Sequence, residues 1–131
     1  MIEVYIDGAS AGHPGPSAAG VFINNNGELI RKSYPLEPMS NHEAEFHALL
    51  KALSLCKELG FTTISIRTDS KILDDAINNQ YVKREVFRTL LNTALMQIEA
   101  DFDFVFVKWI PSNQNREADL LAKRAIQHEV E

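Results

Sequence analysis

Four acidic residues stand where a carboxylate could do chemistry. Asp7 closes the alternating run Ile2 to Asp7, and Asp69 follows directly on Ile64-Ser65-Ile66-Arg67-Thr68. Glu45 heads a stripe that Leu49, Ala52 and Cys56 continue at i+4, i+7 and i+11. That spacing turns Glu45 toward the apolar side of its helix. Asp119 stands in the same way over Ala122 and Ile126, at i+3 and i+7. An acid on an inward helix face costs free energy unless something compensates it. Two such acids, with two more at strand ends, invite a shared cation. Oxygen-only donors suit Mg²⁺ or Mn²⁺ rather than zinc. Two such ions about 4 Å apart can activate water and hold both oxygens of an in-line displacement at phosphorus. Three of the acids also have ordinary uses: Asp69 as a helix cap, Asp119 at a helix N-terminus, and Asp7 in a turn. Glu45 is harder to assign to such a use, and spacing alone does not bring the four together in space.

Other chemical patterns fail on context. Gly8-Ala9-Ser10-Ala11-Gly12 matches the nucleophile elbow G-x-S-x-G, which needs a strand, a sharp turn and then a helix. His13-Pro14-Gly15-Pro16 follows instead, and no helix starts through it. His42, Glu43 and His47 resemble a zinc-protease motif, but the histidines are five residues apart rather than four. Five residues separate them by about 140° around a helix, so they cannot share a metal and read as solvent-facing. The glycine-rich stretch is neither a dinucleotide fingerprint nor a phosphate-binding loop, so no nucleotide cofactor is expected.

The elements that must position the acids follow from periodicity. Ile2 to Asp7, Ala18 to Ile23 and Leu29 to Tyr34 read as three strands. The second and third are joined by Asn24-Asn25-Asn26-Gly27, a hairpin turn, so an antiparallel meander is expected. Gly8 to Ser17, with three glycines and two prolines, reads as a loop. Ser40-Asn41-His42-Glu43 is a capping box that opens a long helix ending at Gly60. Thr62 to Thr68 is a fourth strand, and Asp69-Ser70 caps a short helix through Ile77. A further helix runs from about Glu85 to Glu99. Phe102 to Trp109 is the most hydrophobic strand candidate, and Asn115 caps a last helix that buries Ala118, Leu121, Ala122 and Ala125. The last two strands are each reached through helices, which predicts crossovers onto one mixed sheet in an α/β domain.

The 131 residues suffice for one domain, 1–131, and its ordinary composition (45% hydrophobic, 24% charged) excludes a disordered chain. The lone Cys56 excludes an internal disulfide and a cysteine zinc cage. No secretory leader and no membrane-length apolar run is evident, so a cytoplasmic protein with no membrane partner is expected, by default a monomer. The net charge of -5 argues at first against nucleic acid. Setting the four acids aside, however, leaves 14 acids (18 less 4) against 13 bases, and two divalent ions would cancel the four.

Four segments, in order, resemble ribonuclease H type 1 across nearly the whole chain. They are Tyr5-Ile6-Asp7-Gly8-Ala9-Ser10 with Gly12-His13-Pro14-Gly15-Pro16, then Ser40-Asn41-His42-Glu43-Ala44-Glu45, Arg67-Thr68-Asp69-Ser70, and Asn115-Arg116-Glu117-Ala118-Asp119-Leu120-Leu121-Ala122. The resemblance implies a five-stranded mixed sheet with helices on both faces. It also implies cleavage of the RNA strand of an RNA–DNA hybrid with two Mg²⁺ ions, Mn²⁺ being an alternative. Asp7, Glu45, Asp69 and Asp119 match the family's metal-binding and catalytic carboxylates, Asp7 bridging the metals and Glu45 lying near the ribose 2′-hydroxyl. Gly8, Ala9 and Ser10 match backbone that approaches the RNA strand, Asn41 a minor-groove contact, and Ser40 a DNA-phosphate contact. His13 and His42 replace the common asparagines. The loop Trp109 to Gln114 lacks the bacterial form's histidine and looks like the archaeal and plant-type branch. Gln80 to Glu85 supplies only Lys83 and Arg84 where the bacterial form has a basic protrusion. These departures leave one rival reading: an RNase H-like domain that binds nucleic acid or protein with little or no cleavage.

Overall fold

Strand β1 spans Ile2–Ser10, three residues further than its alternation predicts, because Gly8, Ala9 and Ser10 pair with Ala19, Ala18 and Ser17 of the next strand. The chain is described by a computed structural model covering residues 1–12 and 14–130, with the side chains of 128–130 set aside. The remaining elements are β2 (Gly15–Asn25), β3 (Glu28–Met39), α1 (Asn41–Glu58), β4 (Thr63–Thr68), α2 (Lys71–Asn79), α3 (Glu85–Asp101), β5 (Phe104–Trp109) and α4 (Arg116–Val130). A short 3-10 turn, Ser112–Gln114, precedes α4. The expected loop from Gly8 to Ser17 is thus mostly strand, and His13 lies outside the described residues.

The five strands form one sheet in the order β3-β2-β1-β4-β5. The first three are antiparallel, while β4 runs parallel to both β1 and β5. This is the expected mixed sheet. The hairpin between β2 and β3 uses Asn26 and Gly27 at positive φ (53° and 100°), the backbone such tight turns require. Strand β3 extends through Pro35 and Pro38, which it tolerates as an edge strand with one unpaired side.

Ser40 caps α1 as a full capping box with Glu43, and the helix ends at Glu58, two residues before Gly60, whose φ is 80°. Its buried stripe of Ala48, Leu49, Ala52, Leu53 and Cys56 covers Val4, Ile6, Ile64 and Ile66 of the central strands. Each such aliphatic side chain contributes about 1.5–3 kcal/mol on leaving water. Helix α3 packs on α1, with Phe87 stacked on Phe46 at 5.2 Å. Helix α4 lies against β1, β2 and β3. Ser70, not Asp69, accepts the capping bond of α2, from the Leu73 amide. Strand β5, the most hydrophobic strand candidate, forms as an edge strand with Phe104 and Phe106 exposed.

Candidate active site

The parallel pairing between β1 and β4 ends at Ile6 opposite Thr68. Asp7 is the next residue on β1, and Asp69 the next after β4. The register therefore sets two carboxylates side by side at the carboxyl ends of parallel strands, where α/β sheets leave a crevice. Two glycines let the helices deliver the other two. A Cβ at Gly8 would collide with the Ala44 carbonyl and the Glu45 amide, so the first turn of α1 lies directly on β1. Gly20 pairs with Asp7 across the sheet, and a Cβ there would collide with the Ala118 carbonyl. Helix α4 thus touches β2 one residue before Asp119.

Asn115 fastens this arrangement from below. Its side-chain amide, buried, donates to the Ile6 carbonyl at 2.8 Å, while its Oδ1 has no partner among the described residues. The residue precedes α4 as expected, but its side chain holds β1 instead of capping the helix. Asn115→Ala strands the buried Ile6 carbonyl, and we expect a loss of about 1–3 kcal/mol in urea unfolding. A loss below about 0.5 kcal/mol would show that the tie is dispensable.

The carboxyl of Asp7 is pushed up to about 8, first by burial, then by the charges of Asp69 and Asp119, a hydrogen bond with Asp119, and the charge of Glu45. All three other acids singled out by spacing therefore act on Asp7. Each has a local partner. Glu45, 18% exposed at its side chain, accepts from Ser70 Oγ at 2.6 Å and lies 3.2 Å from His42 Nδ1. Asp119 pairs with Lys123 at 3.0 Å. Trp109 Nε1 donates to the backbone carbonyl of Asp69 at 3.2 Å.

Among the described residues, no three His, Cys, Asp or Glu side chains stand close enough to enclose an ion. The carboxylates form an open set, with Glu45 held by Ser70 and Asp119 held by Lys123. Reorienting those two side chains is what an incoming cation would have to offset. The donor set fits a hard divalent ion: it offers only carboxylate oxygens, and it holds Asp7 against ionisation until positive charge arrives. Lys123 escaped the sequence reading, although its i+4 spacing from Asp119 is the usual signal for a helical ion pair. Its ammonium is held above the usual range, chiefly by Asp119 and also by Asp7.

The other candidate contacts are placed as follows. Gly8 is buried under α1, while Ala9 and Ser10 are half-buried at the end of β1. Ser10 Oγ lies 2.7 Å from both the Gly12 and the Met39 carbonyls, and its amide donates to Asn41 Oδ1 at 2.8 Å. Its hydroxyl ties the strand end together, which agrees with the failed elbow motif. Ser40 Oγ is taken up by the capping box with Glu43. His42 is exposed, edge-on to Phe87, and turned to Glu45, so it is part of the carboxylate neighbourhood. His47 is half-buried, not solvent-facing as its spacing suggested.

The family described as reverse transcriptase-like matches residues 6–125. The EbsB protein of Enterococcus faecalis is 35% identical over 129 residues, covering 97% of this chain and 95% of that protein. Ribonuclease HI of Halobacterium salinarum is 28% identical over 127 residues, 95% of this chain and 64% of that protein. The crystal structure of RNase H1 from that archaeon matches with a TM-score of 0.91 at 28% identity, over 97% of this chain and 98% of that one. LC11-RNase H1, crystallised in complex with an RNA/DNA hybrid, matches with a TM-score of 0.94 at 25% identity over 100% of both chains. The fold and the family match define a ribonuclease H-like α/β protein. The chain belongs to the reverse transcriptase-like family, where it stands with ribonuclease H type 1.

Proposed function

We propose that this chain, acting over residues 1–131 as one unit, is a ribonuclease H that hydrolyses the RNA strand of RNA–DNA hybrids. The observation that carries this reading is the gathering of Asp69, Asp119 and Glu45 around the half-buried Asp7 carboxyl. The hybrid-bound LC11-RNase H1 supports the substrate class. The ribonuclease H family depends on divalent metal, and two Mg²⁺ ions, with Mn²⁺ as a substitute, suit this oxygen-only set. When bound, the ions supply an ionised water and neutralise charge building at phosphorus.

The chain's own residues do the rest. Asp7, Glu45, Asp69 and Asp119 would hold the ions. Glu45 is fixed by Ser70 at the edge of this set, and it reads the ribose 2′-hydroxyl that separates RNA from DNA. The small residues Gly8, Ala9 and Ser10 let the RNA backbone approach β1, while Ser40, Asn41 and His42 line the start of α1 beside the partner strand. Among the described residues no helix is long and apolar enough to cross a membrane. We place the protein in the cytoplasm, acting as a monomer.

The test is cleavage of a hybrid whose RNA strand is labelled. The wild type should cut it in Mg²⁺ or Mn²⁺, stop in EDTA, and lose about a thousandfold or more in Asp69→Asn. Tight hybrid binding with no cleavage in either metal would instead establish a binding domain of the same fold.

A further inference from the structure

On the sheet face that carries Asp7, one rung crosses all five strands. It runs Arg31 (β3), Phe22 (β2), Tyr5 (β1), Arg67 (β4) and Lys108 (β5). The rung is built as cation on ring. The Arg31 guanidinium sits 5.1 Å from the Phe22 ring centre and that of Arg67 5.6 Å from Tyr5, whose own ring is 5.7 Å from Phe22. The next rung continues it with Glu3, Ser65 and Phe106. Phe104 follows on β5, stacked with Phe106 at 6.2 Å and 10° between planes. Those two rings are 62% and 50% exposed. Arg67 is paired with Glu3 of the second rung at 3.0 Å and Arg31 with Glu117 of α4 at 3.2 Å, while Lys108 lies exposed on β5 beside Phe106.

Rings lying on a sheet beside arginines stack nucleobases, and the cations accompany the phosphates. A protein partner would find this face crossed by paired charges, whereas an unpaired strand can lay its bases on the exposed Phe104 and Phe106 rings with a phosphate at Lys108. The face also begins two residues from Asp7 along β1. We infer that it binds a single-stranded nucleic-acid extension of the hybrid, a platform beside the catalytic end. This rests on the nuclease reading for its substrate, but its test does not depend on cleavage.

Fluorescence anisotropy in EDTA should compare a blunt hybrid with the same hybrid carrying a single-stranded tail of about ten nucleotides. The tailed hybrid should bind on the order of tenfold more tightly, with a steep loss in salt. Phe104→Ser with Phe106→Ser, and separately Lys108→Gln, should remove most of that gain while blunt-hybrid cleavage in Mg²⁺ is retained. All of these side chains are exposed, and matched circular dichroism melts check folding. Equal affinity for the two hybrids, or a gain that survives both variants, overturns the platform. So does a wild-type dimer in sedimentation that the phenylalanine variant dissolves, since the face would then serve a second copy. Absence of cleavage with the tail's gain intact overturns the nuclease reading alone.

Discussion

Asp7→Asn should abolish hybrid cleavage and at the same time make the metal-free protein more stable at neutral and alkaline pH. The first effect is the loss of the central ligand: roughly a thousandfold or more, equivalent to about 4 kcal/mol of transition-state stabilisation. The second follows from the folded site. Asp7 ordinarily ionises near 3.8 and is held protonated up to about 8 by burial and by Asp69, Asp119 and Glu45. In the unfolded chain it is free to ionise, so between those two values the folded state holds more protons. Stability of the metal-free protein therefore falls as pH rises from about 4 to about 8, and below that window the cost vanishes. About four units at ~1.4 kcal/mol each is a ceiling. Water entry and side-chain relaxation reduce it to about 1–3 kcal/mol. Melts in EDTA across this range should show the wild type declining, with Asp7→Asn flatter and more stable near pH 8. If Asp7→Asn melts below the wild type there, the carboxylates do not strain the fold. Divalent metal should raise the wild-type melting temperature most at the alkaline end, because it binds the form that the empty fold disfavours.

Glu45 shows how far such a site can be read from one sequence. Its place in an apolar stripe under a capping box already turns it inward, and the helix forms as the spacing predicts, with Leu49, Ala52 and Cys56 buried beneath it. The gathering of the four acids was implied by the family resemblance but not legible in spacing, because it depends on where β4 stops along β1 and on two glycines whose spacing carries no signal. Gly20 looks like an interruption in a strand; only the packed structure shows α4 resting on it. Likewise Gly8-Ala9-Ser10 reads as loop by composition but is strand, because pairing with β2 and the ties of Ser10 to Gly12, Met39 and Asn41 outweigh weak local propensity. The apolar run of β5 forms the expected strand, but its hydrophobicity does not tell where in the sheet it lies. Four of its six residues are exposed at a sheet edge, and hydrophobicity alone does not distinguish a buried strand from an exposed aromatic one.

Gly20→Ala should be among the most damaging one-carbon changes in the chain. The added carbon would meet the Ala118 carbonyl, the Ala122 amide at 2.8 Å and Leu121 Cβ at 2.9 Å. Two of these are helix backbone and cannot rotate away, so α4 must lift from β2. We expect about 3 kcal/mol or more of destabilisation, the upper end for overpacking a core. Gly27→Ala is the contrast: its φ of 100° makes alanine strained, but nothing lies within 4 Å. That change should cost about 1 kcal/mol and leave cleavage untouched. Urea unfolding of both variants gives the ordering, and equal losses would mean that backbone strain, not the contact with α4, sets the cost. A second consequence is specific to the site. Lifting α4 carries Asp119 away from Asp7 and lets water reach both, which removes two causes of Asp7's reluctance to ionise. Gly20→Ala should therefore lose hybrid cleavage at temperatures where it remains folded. Its metal-free stability should also depend less on pH than that of the wild type, the mark of a separated carboxylate pair rather than of a generally weakened fold.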